Sequence, residues 1–278
     1  MLNQQKLIGY HAGTTFLHRL SGASKLLFFI LVSTAAMIRY DTRLLLVIAI
    51  GSLFLFRVSN IHFKDVSFVL AFAGIFAALN LIMVYLFAPQ YGVEIYDQQT
   101  VWFSGVGSYT VTAQEIFYLF NLFLKYLCTI PLAVIFLMTT HPSQFASSMN
   151  QIGIPYKIAY AVNIAFRYIP DVQREYKDIL NAQQSRGLAF KKGEGSVVEI
   201  LKNYTTIFVP LVSSSIKRIE TVSNAMELRS FGKKRKRTWY SYKKLTAADF
   251  IFIAVCIVLL VGAVYLKNNV ITGFYYPL

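Results

Sequence analysis

Long apolar runs separated by short charged segments dominate the first half of this chain and its last thirty residues. Three runs approach or reach the 17 to 25 residues that a transmembrane helix needs: Val66 to Phe87, Glu115 to Thr139, and Phe250 to Leu266. Two further runs, Leu26 to Ile38 and Leu44 to Phe56, hold only 13 residues each, but basic residues flank both of them. Because long basic side chains reach back to the membrane interface, the pattern predicts a short-loop hairpin there. The whole chain is therefore predicted to be an all-α membrane protein with about five transmembrane helices.

After Thr139 the pattern becomes amphipathic. Ser143 is a predicted N-cap of a short helix that continues to Met149. Two long segments with helical periodicity follow. The apolar face of the first carries Val172, Tyr176, Ile179 and Gln183. The apolar face of the second carries Val212, Ile216, Ile219, Val222 and Met226. This region is predicted to be a module of long amphipathic helices.

The two long segments repeat one plan. Each contains a proline, Pro170 or Pro210, which removes a backbone donor and is expected to kink or break the helix. Each then ends on an arginine among small residues, Arg186 or Arg229, and a glycine follows. An arginine at this position has a structural interpretation, since a cation complements the helix macrodipole. Two like ends also suggest two like sockets on a partner, because the guanidinium binds carboxylates and carbonyls in fixed geometry.

The composition supports a membrane protein, with 56% hydrophobic residues, 14% charged residues and a mean hydropathy of +0.51. The net charge of +14 is uneven, since residues 140–248 hold 18 of the 27 Lys and Arg residues. The positive-inside bias places that block in the cytoplasm. The segment from Ala88 to Ala113 contains Glu94 and Asp97 but no basic residue, so it is predicted to lie outside. Residues 1–24 lack the apolar core of a signal peptide, and the N-terminus is predicted inside and the C-terminus outside.

These charges divide the chain into three parts. Residues 1–139 form the N-terminal segment and the first four transmembrane helices. Residues 140–248 form the cytoplasmic module, and residues 249–278 the last transmembrane helix with an external C-terminus.

Several kinds of chemistry lack their sequence signature. The chain has no phosphate-binding loop, no zinc-protease motif and no nucleophile elbow, and its four histidines are scattered. We therefore expect no enzyme, no catalytic residue, no cofactor and no metal site. Cys128 and Cys256 lie in apolar runs and are predicted to be small buried hydrophobic residues.

Two charged features allow more than one interpretation. Lys125 lies near the middle of a predicted span, where it either lines a path or, as we favour, binds a helix carbonyl or Asn80. The basic run from Lys233 to Arg237 favours attraction to anionic lipid. Nucleic-acid binding is the weaker interpretation of this run, since no sequence motif of a nucleic-acid-binding domain accompanies it.

Nearly the whole chain resembles the transmembrane T component of energy-coupling factor transporters, importers of the ABC superfamily. The resemblance is carried by residues 17–20 with Lys25-Leu26, by the two prolines, and by two triplets that correspond to the Ala-Arg-Gly signature of the family. These triplets are Ser185-Arg186-Gly187 and Leu228-Arg229-Ser230. Both depart from the signature outside the arginine, and we expect Gly232 to supply the glycine that the second triplet lacks.

The resemblance implies a non-catalytic coupling subunit in the plasma membrane of a prokaryote. The helices that end in the two triplets would dock on two cytoplasmic ABC-type ATPases. The same module would hold a separate membrane subunit that binds the imported vitamin or metal ion. Two alternatives remain: a self-contained channel or secondary carrier that uses Lys125 and Asn80, and a lipid-surface scaffold built on the basic run.

Overall fold

Most of the described chain is helical. The computed structural model describes residue 13 and residues 15–38, 41–96, 100–103, 110–190, 196–234 and 238–269, apart from the side chains at 197 and 266–269. The elements in chain order are α1 (Phe16–Arg19), α2 (Gly22–Ile38), α3 (Thr42–Val58), α4 (Phe63–Phe87), α5 (Tyr91–Tyr96), β1 (Val101–Phe103), β2 (Val111–Thr112), α6 (Ala113–Thr139), α7 (Pro142–Gln151), α8 (Tyr156–Ser185), α9 (Val197–Leu228) and α10 (Ala247–Asn269). The chain is thus an all-α membrane protein, as predicted.

The predicted spans correspond to α2, α3, α4, α6 and α10. Three of these helices, α4, α6 and α10, are long and apolar enough to cross a membrane. The first hairpin extends beyond its apolar runs. Residues 22–25 join the start of α2, and residues 42, 43, 57 and 58 join the two ends of α3, so that each helix has 17 residues. At 1.5 Å per residue each of these helices is about 26 Å long, close to the roughly 30 Å of a bilayer core.

Residues 1–148 and 243–278 form one compact unit, and residues 149–242 form a second. In the first unit α6 packs against α2, α3, α4 and α5, while α2 also packs against α10. Cys128 of α6 and Cys256 of α10 are free, fully buried members of the main apolar cluster, which confirms their predicted role. Close packing is possible because small residues such as Ala35, Ala49 and Ala263 line the contacts.

Buried polar groups tie the helix ends of the first unit together. The carboxylate of Asp249 accepts hydrogen bonds from the backbone N–H groups of Ser21 and Thr246, both at 2.8 Å, and from the Ser24 hydroxyl. Lys25 Nζ donates to the Thr139 carbonyl at 2.7 Å. Since an unpartnered buried polar group is costly, these bonds hold the beginnings of α2 and α10 and the end of α6 in fixed positions.

Lys125 has a structural partner in this unit. Its ammonium group donates to the Met37 carbonyl of α2 at 3.4 Å. Asn80 is occupied elsewhere, since its side-chain oxygen accepts from the Tyr126 hydroxyl at 2.9 Å. The interpretation of Lys125 as a group that binds a helix carbonyl is therefore confirmed, and its pairing with Asn80 is wrong.

The segment predicted as an external loop contains regular structure. Helix α5 packs on α6, and β1 pairs with β2 in an antiparallel ladder. Thr112 then caps α6 by accepting from the Glu115 N–H at 3.2 Å, so the helix begins two residues before the predicted span. The glycines at 105 and 107 lie outside the described residues.

Helix α7 begins two residues before Gln144, the first helical position that a cap at Ser143 predicts. Its first residue is Pro142, whose ring favours the first helical position. Ser143 is therefore inside the helix, and its N–H donates to Nδ1 of His141 at 3.2 Å. The prediction of Ser143 as the cap is wrong, because the imidazole of His141 takes that role.

Candidate functional site

The two long amphipathic segments form α8, of 30 residues, and α9, of 32 residues. Each helix is continuous through its proline, Pro170 in α8 and Pro210 in α9. A break at either proline is therefore excluded, and the expected kink stays a prediction. The helices end at Ser185 and Leu228, one residue before the arginines on which they were predicted to end.

The first arginine end closes with two backbone hydrogen bonds beyond the last helical turn. Gly187 N–H donates to the Gln184 carbonyl at 2.9 Å, and Leu188 N–H donates to the Gln183 carbonyl at 3.2 Å. This pair of bonds is the Schellman motif, which requires a left-handed residue after the cap. Gly187 supplies it with a φ of +85°. Arg186 is then the C-cap residue, with φ −87° and ψ 6°.

The second end has the same backbone geometry. Ser230 N–H donates to the Glu227 carbonyl at 2.8 Å, and Phe231 N–H donates to the Met226 carbonyl at 2.9 Å. Arg229 is the C-cap residue, with φ −87° and ψ 13°. The left-handed position is occupied by Ser230, with a φ of +54°. The expectation that Gly232 replaces the missing glycine is therefore wrong at this position.

Both ends expose their arginines. Ser185, Arg186 and Gly187 are exposed, as are Arg229 and Ser230. Leu228, directly before the second arginine, is 88% exposed. Within the described parts of the chain, neither guanidinium has a hydrogen bond or an ion pair. The two ends thus present a charged donor group and, at the second, an apolar side chain to the surroundings.

Contacts between the two helices show that they run antiparallel. Phe190, after the first end, packs on Tyr204 of α9 at a centroid distance of 5.5 Å. Phe231, after the second end, packs on Tyr160 near the start of α8 at 4.7 Å. As residue numbers increase along α8, the residue numbers of the contact partners in and after α9 decrease. The two arginines therefore lie at opposite ends of the helix pair.

These aromatic contacts were not predicted from the sequence. The only sequence signal for them is an aromatic residue shortly after each arginine. Two polar contacts reinforce them. Asn203 Nδ2 donates to the Ala189 carbonyl at 2.8 Å, and Trp239 Nε1 donates to Asn150 Oδ1 at 3.0 Å. The segment after each end is therefore folded back onto the module.

Helix α9 carries an exposed apolar stripe, defined by residues three, four or seven positions apart. Its members are Val198, Leu201, Phe208, Val212, Ile216 and Ile219, which are 40% to 75% exposed. The predicted face is confirmed at Val212, Ile216 and Ile219, while Val222 and Met226 are only partly exposed. The exposed stripe also extends four turns further toward the start of α9. Exposed apolar surface of this length is typical of a binding site for a protein or a membrane.

The described residues include no group of three or more His, Cys, Asp or Glu side chains placed to hold a metal ion. Of the basic run, Lys233 and Lys234 are exposed, while residues 235–237 lie outside the described parts. The candidate site therefore consists of two arginine ends and an exposed apolar helix face, and it belongs to a chain with the fold of an all-α membrane protein.

The comparisons with known proteins agree with this class. The model of the family CbiQ, "Cobalt transport protein", matches residues 13–240. The energy-coupling factor transporter transmembrane protein EcfT of Streptococcus thermophilus is 26% identical over 93% of this chain and 97% of its own length. The EcfT protein of Brevibacillus brevis is 28% identical over 94% of this chain and 97% of its own length. The chain belongs to this family, the transmembrane T components of energy-coupling factor transporters.

Proposed function

We propose that this chain is a non-catalytic coupling subunit that transmits conformational changes of two cytoplasmic ABC-type ATPases to a separate substrate-binding membrane subunit. The observation that carries the proposal is the equivalence of the two arginine ends. Both arginines are C-cap residues of Schellman motifs, both are exposed, and they lie at opposite ends of one helix pair.

Opposite placement supports two ATPase subunits rather than one. Arg186 and Arg229 are separated by most of the length of an antiparallel pair, roughly 30 Å at 1.5 Å per residue. One groove cannot accommodate both ends at that distance, whereas two copies of one groove can. An arginine buried in such a groove makes several charge-assisted hydrogen bonds, which a helix cap alone does not need.

The apolar stripe of α9 supports the second partner. A substrate-binding subunit that is itself a membrane protein offers the apolar surface that such a stripe requires. The imported vitamin or metal ion is then selected by that subunit. This arrangement leaves the present chain without a ligand site of its own.

The charge distribution supports the orientation. Residues 140–248 lie in the cytoplasm of a prokaryotic cell, and the region of α5, β1 and β2 lies outside. The N-terminus is then cytoplasmic and the C-terminus external. The alternative of a channel or carrier built on Lys125 and Asn80 is disfavoured, because both side chains have structural partners.

The test is retention of ATPases on the tagged chain, together with uptake in cells. Truncating an arginine that anchors an interface costs about 2 kcal/mol or more, which is roughly a thirtyfold loss of affinity. We expect Arg186→Ala and Arg229→Ala each to lower retention, and the double variant to abolish uptake while still inserting in the membrane. Lysine at both positions is expected to restore ATPase retention and uptake only in part, since it lacks the planar guanidinium group with its several donors.

A purely capping arginine predicts a different outcome. Alanine would then cost less than about 1 kcal/mol and lysine would restore the loss, because the helix dipole responds to charge alone. Full uptake by the double alanine variant at normal expression would refute the coupling role of these residues.

A further inference from the structure

An ion pair joins α8 to α9 near the middle of the helix pair. Arg218 of α9 donates to Glu175 of α8, with 2.7 Å between Nη2 and Oε2. The same guanidinium lies over the ring of Tyr168, also in α8, at 5.6 Å from its centroid. One arginine therefore binds two groups of the opposite helix, one by charge and one by its flat face.

The position of this pair relative to the two arginine ends is symmetric. Glu175 precedes Arg186 by eleven positions, and Arg218 precedes Arg229 by eleven positions. Each end therefore extends about 16 Å beyond the pair, at 1.5 Å per helical residue. Because the helices are antiparallel, the pair lies midway between the two ends.

Packing around the pair is incomplete. An open groove of about 520 Å³ separates the helices next to it, and its lining includes Val172 and Tyr176 of α8 and Leu211 of α9. Open space between the two helices at this point means that fewer packing contacts restrain their crossing geometry there. A contact of fixed length across the groove restricts that geometry.

We propose that Arg218 and Glu175 form a brace that sets the separation of Arg186 and Arg229. The brace rests on the proposed function, since it matters for transport only if both ends dock on ATPases. Arg218 is a positioning residue, because it acts through the spacing of the two ends. The side chains of Arg218 and Glu175 are 32% and 22% exposed, so water screens the pair only in part.

The direct test measures the distance between the ends in the purified full chain. Spin labels at Gln184→Cys and Asn224→Cys, both exposed positions, report this distance by pulsed electron paramagnetic resonance. Cys128 and Cys256 are buried and stay in place. We expect one narrow distance distribution in the parent chain and at least a twofold broader one in Arg218→Glu. The exchanged pair, Arg218→Glu with Glu175→Arg, is expected to restore the narrow distribution.

A matched control exists within α8. Arg174 pairs with Asp171 at 2.8 Å, but this pair lies within one helix and joins nothing to α9. Arg174→Glu is therefore expected to leave the distribution narrow. An unchanged width in Arg218→Glu, equal broadening by Arg174→Glu, or failure of the exchanged pair to restore the width would each overturn the brace.

A second measurement connects the brace to transport. In cells that express the complete transporter, we expect Arg218→Glu to lower uptake at least tenfold while the tagged chain still retains its ATPases, because both arginine ends are intact. The exchanged pair is expected to recover uptake. Normal uptake by Arg218→Glu would refute the brace as a determinant of transport. The distance experiment needs no ATPase, so a parent chain that retains no ATPase would refute the proposed function and leave the distance result valid.

Discussion

Replacing Ser230 by glycine is expected to stabilise the last turn of α9. Ser230 has a φ of +54° at the position where Gly187 has a φ of +85° in the equivalent turn of α8. A side chain in the left-handed region brings Cβ close to the following carbonyl oxygen, and glycine has no Cβ. The two ends therefore permit a pair of substitutions with opposite expected effects on stability. Ser230→Gly removes the backbone strain, and Gly187→Ala introduces it.

The magnitude follows from two opposing terms. The left-handed conformation costs a residue with a Cβ about 1 to 2 kcal/mol. Glycine loses about 0.5 to 1 kcal/mol more conformational freedom on folding. The net effect is about 0.5 to 1 kcal/mol, stabilising for Ser230→Gly and destabilising for Gly187→Ala. No atom lies within 4 Å of a Cβ built on Gly187, so the second change adds no steric clash.

Hydrogen exchange of the backbone amides is the appropriate assay, because it reports opening of a single helix end. The amides of Ser230 and Phe231 donate the two bonds that close α9. After correction for intrinsic rates, we expect Ser230→Gly to slow their exchange about two- to fivefold, and Gly187→Ala to speed exchange of the matching amides after α8 by the same factor. Ser230→Ala keeps the strain and serves as the control. Faster exchange in Ser230→Gly would contradict the left-handed assignment of Ser230.

Two further predictions concern the membrane unit and its orientation. Gly92→Ala is expected to destabilise the purified chain by about 1 to 3 kcal/mol, because the new Cβ would lie 2.7 Å from backbone atoms of α6. Thermal unfolding measures this effect, and Gly262→Ala is the control, because a Cβ at position 262 meets no atom within 4 Å. Equal melting temperatures of the two variants would contradict the close approach of Gly92 to α6. An impermeant thiol reagent on intact cells is expected to label Trp102→Cys but not Tyr240→Cys, both exposed positions. The reverse pattern would invert the proposed topology.

Much of the membrane unit was predictable because a bilayer imposes a simple requirement. A helix that crosses it must be apolar over a length set by the membrane, and this requirement is visible in the sequence of α4, α6 and α10. The boundaries were less predictable. Helix α6 begins at Ala113 because Thr112 caps it, and α7 begins at Pro142 because His141 accepts a hydrogen bond. Capping hydrogen bonds of this kind do not change the hydropathy pattern from which the spans were predicted.

The partners of buried polar residues were not predictable either. Lys125 lies 88 positions from Met37, whose carbonyl it binds, and Asp249 lies 228 positions from Ser21. Periodicity places a residue on one face of its own helix, but it does not identify the helix that packs against that face. The sequence therefore left the choice between a carbonyl and Asn80 open for Lys125, and only the packing of α2 on α6 decided it.

The sequence by itself determined that two long amphipathic helices end in arginines, because the apolar period, the prolines and the terminal small residues are all local signals. It also determined that the first end closes on Gly187, since glycine favours the left-handed cap. Only the tertiary structure decided that Ser230 takes that conformation at the second end. Phe231, the next residue, is held there by its packing on Tyr160. The antiparallel pairing of α8 and α9, and with it the contact between Glu175 and Arg218, joins residues 43 positions apart, and only packing brings them together.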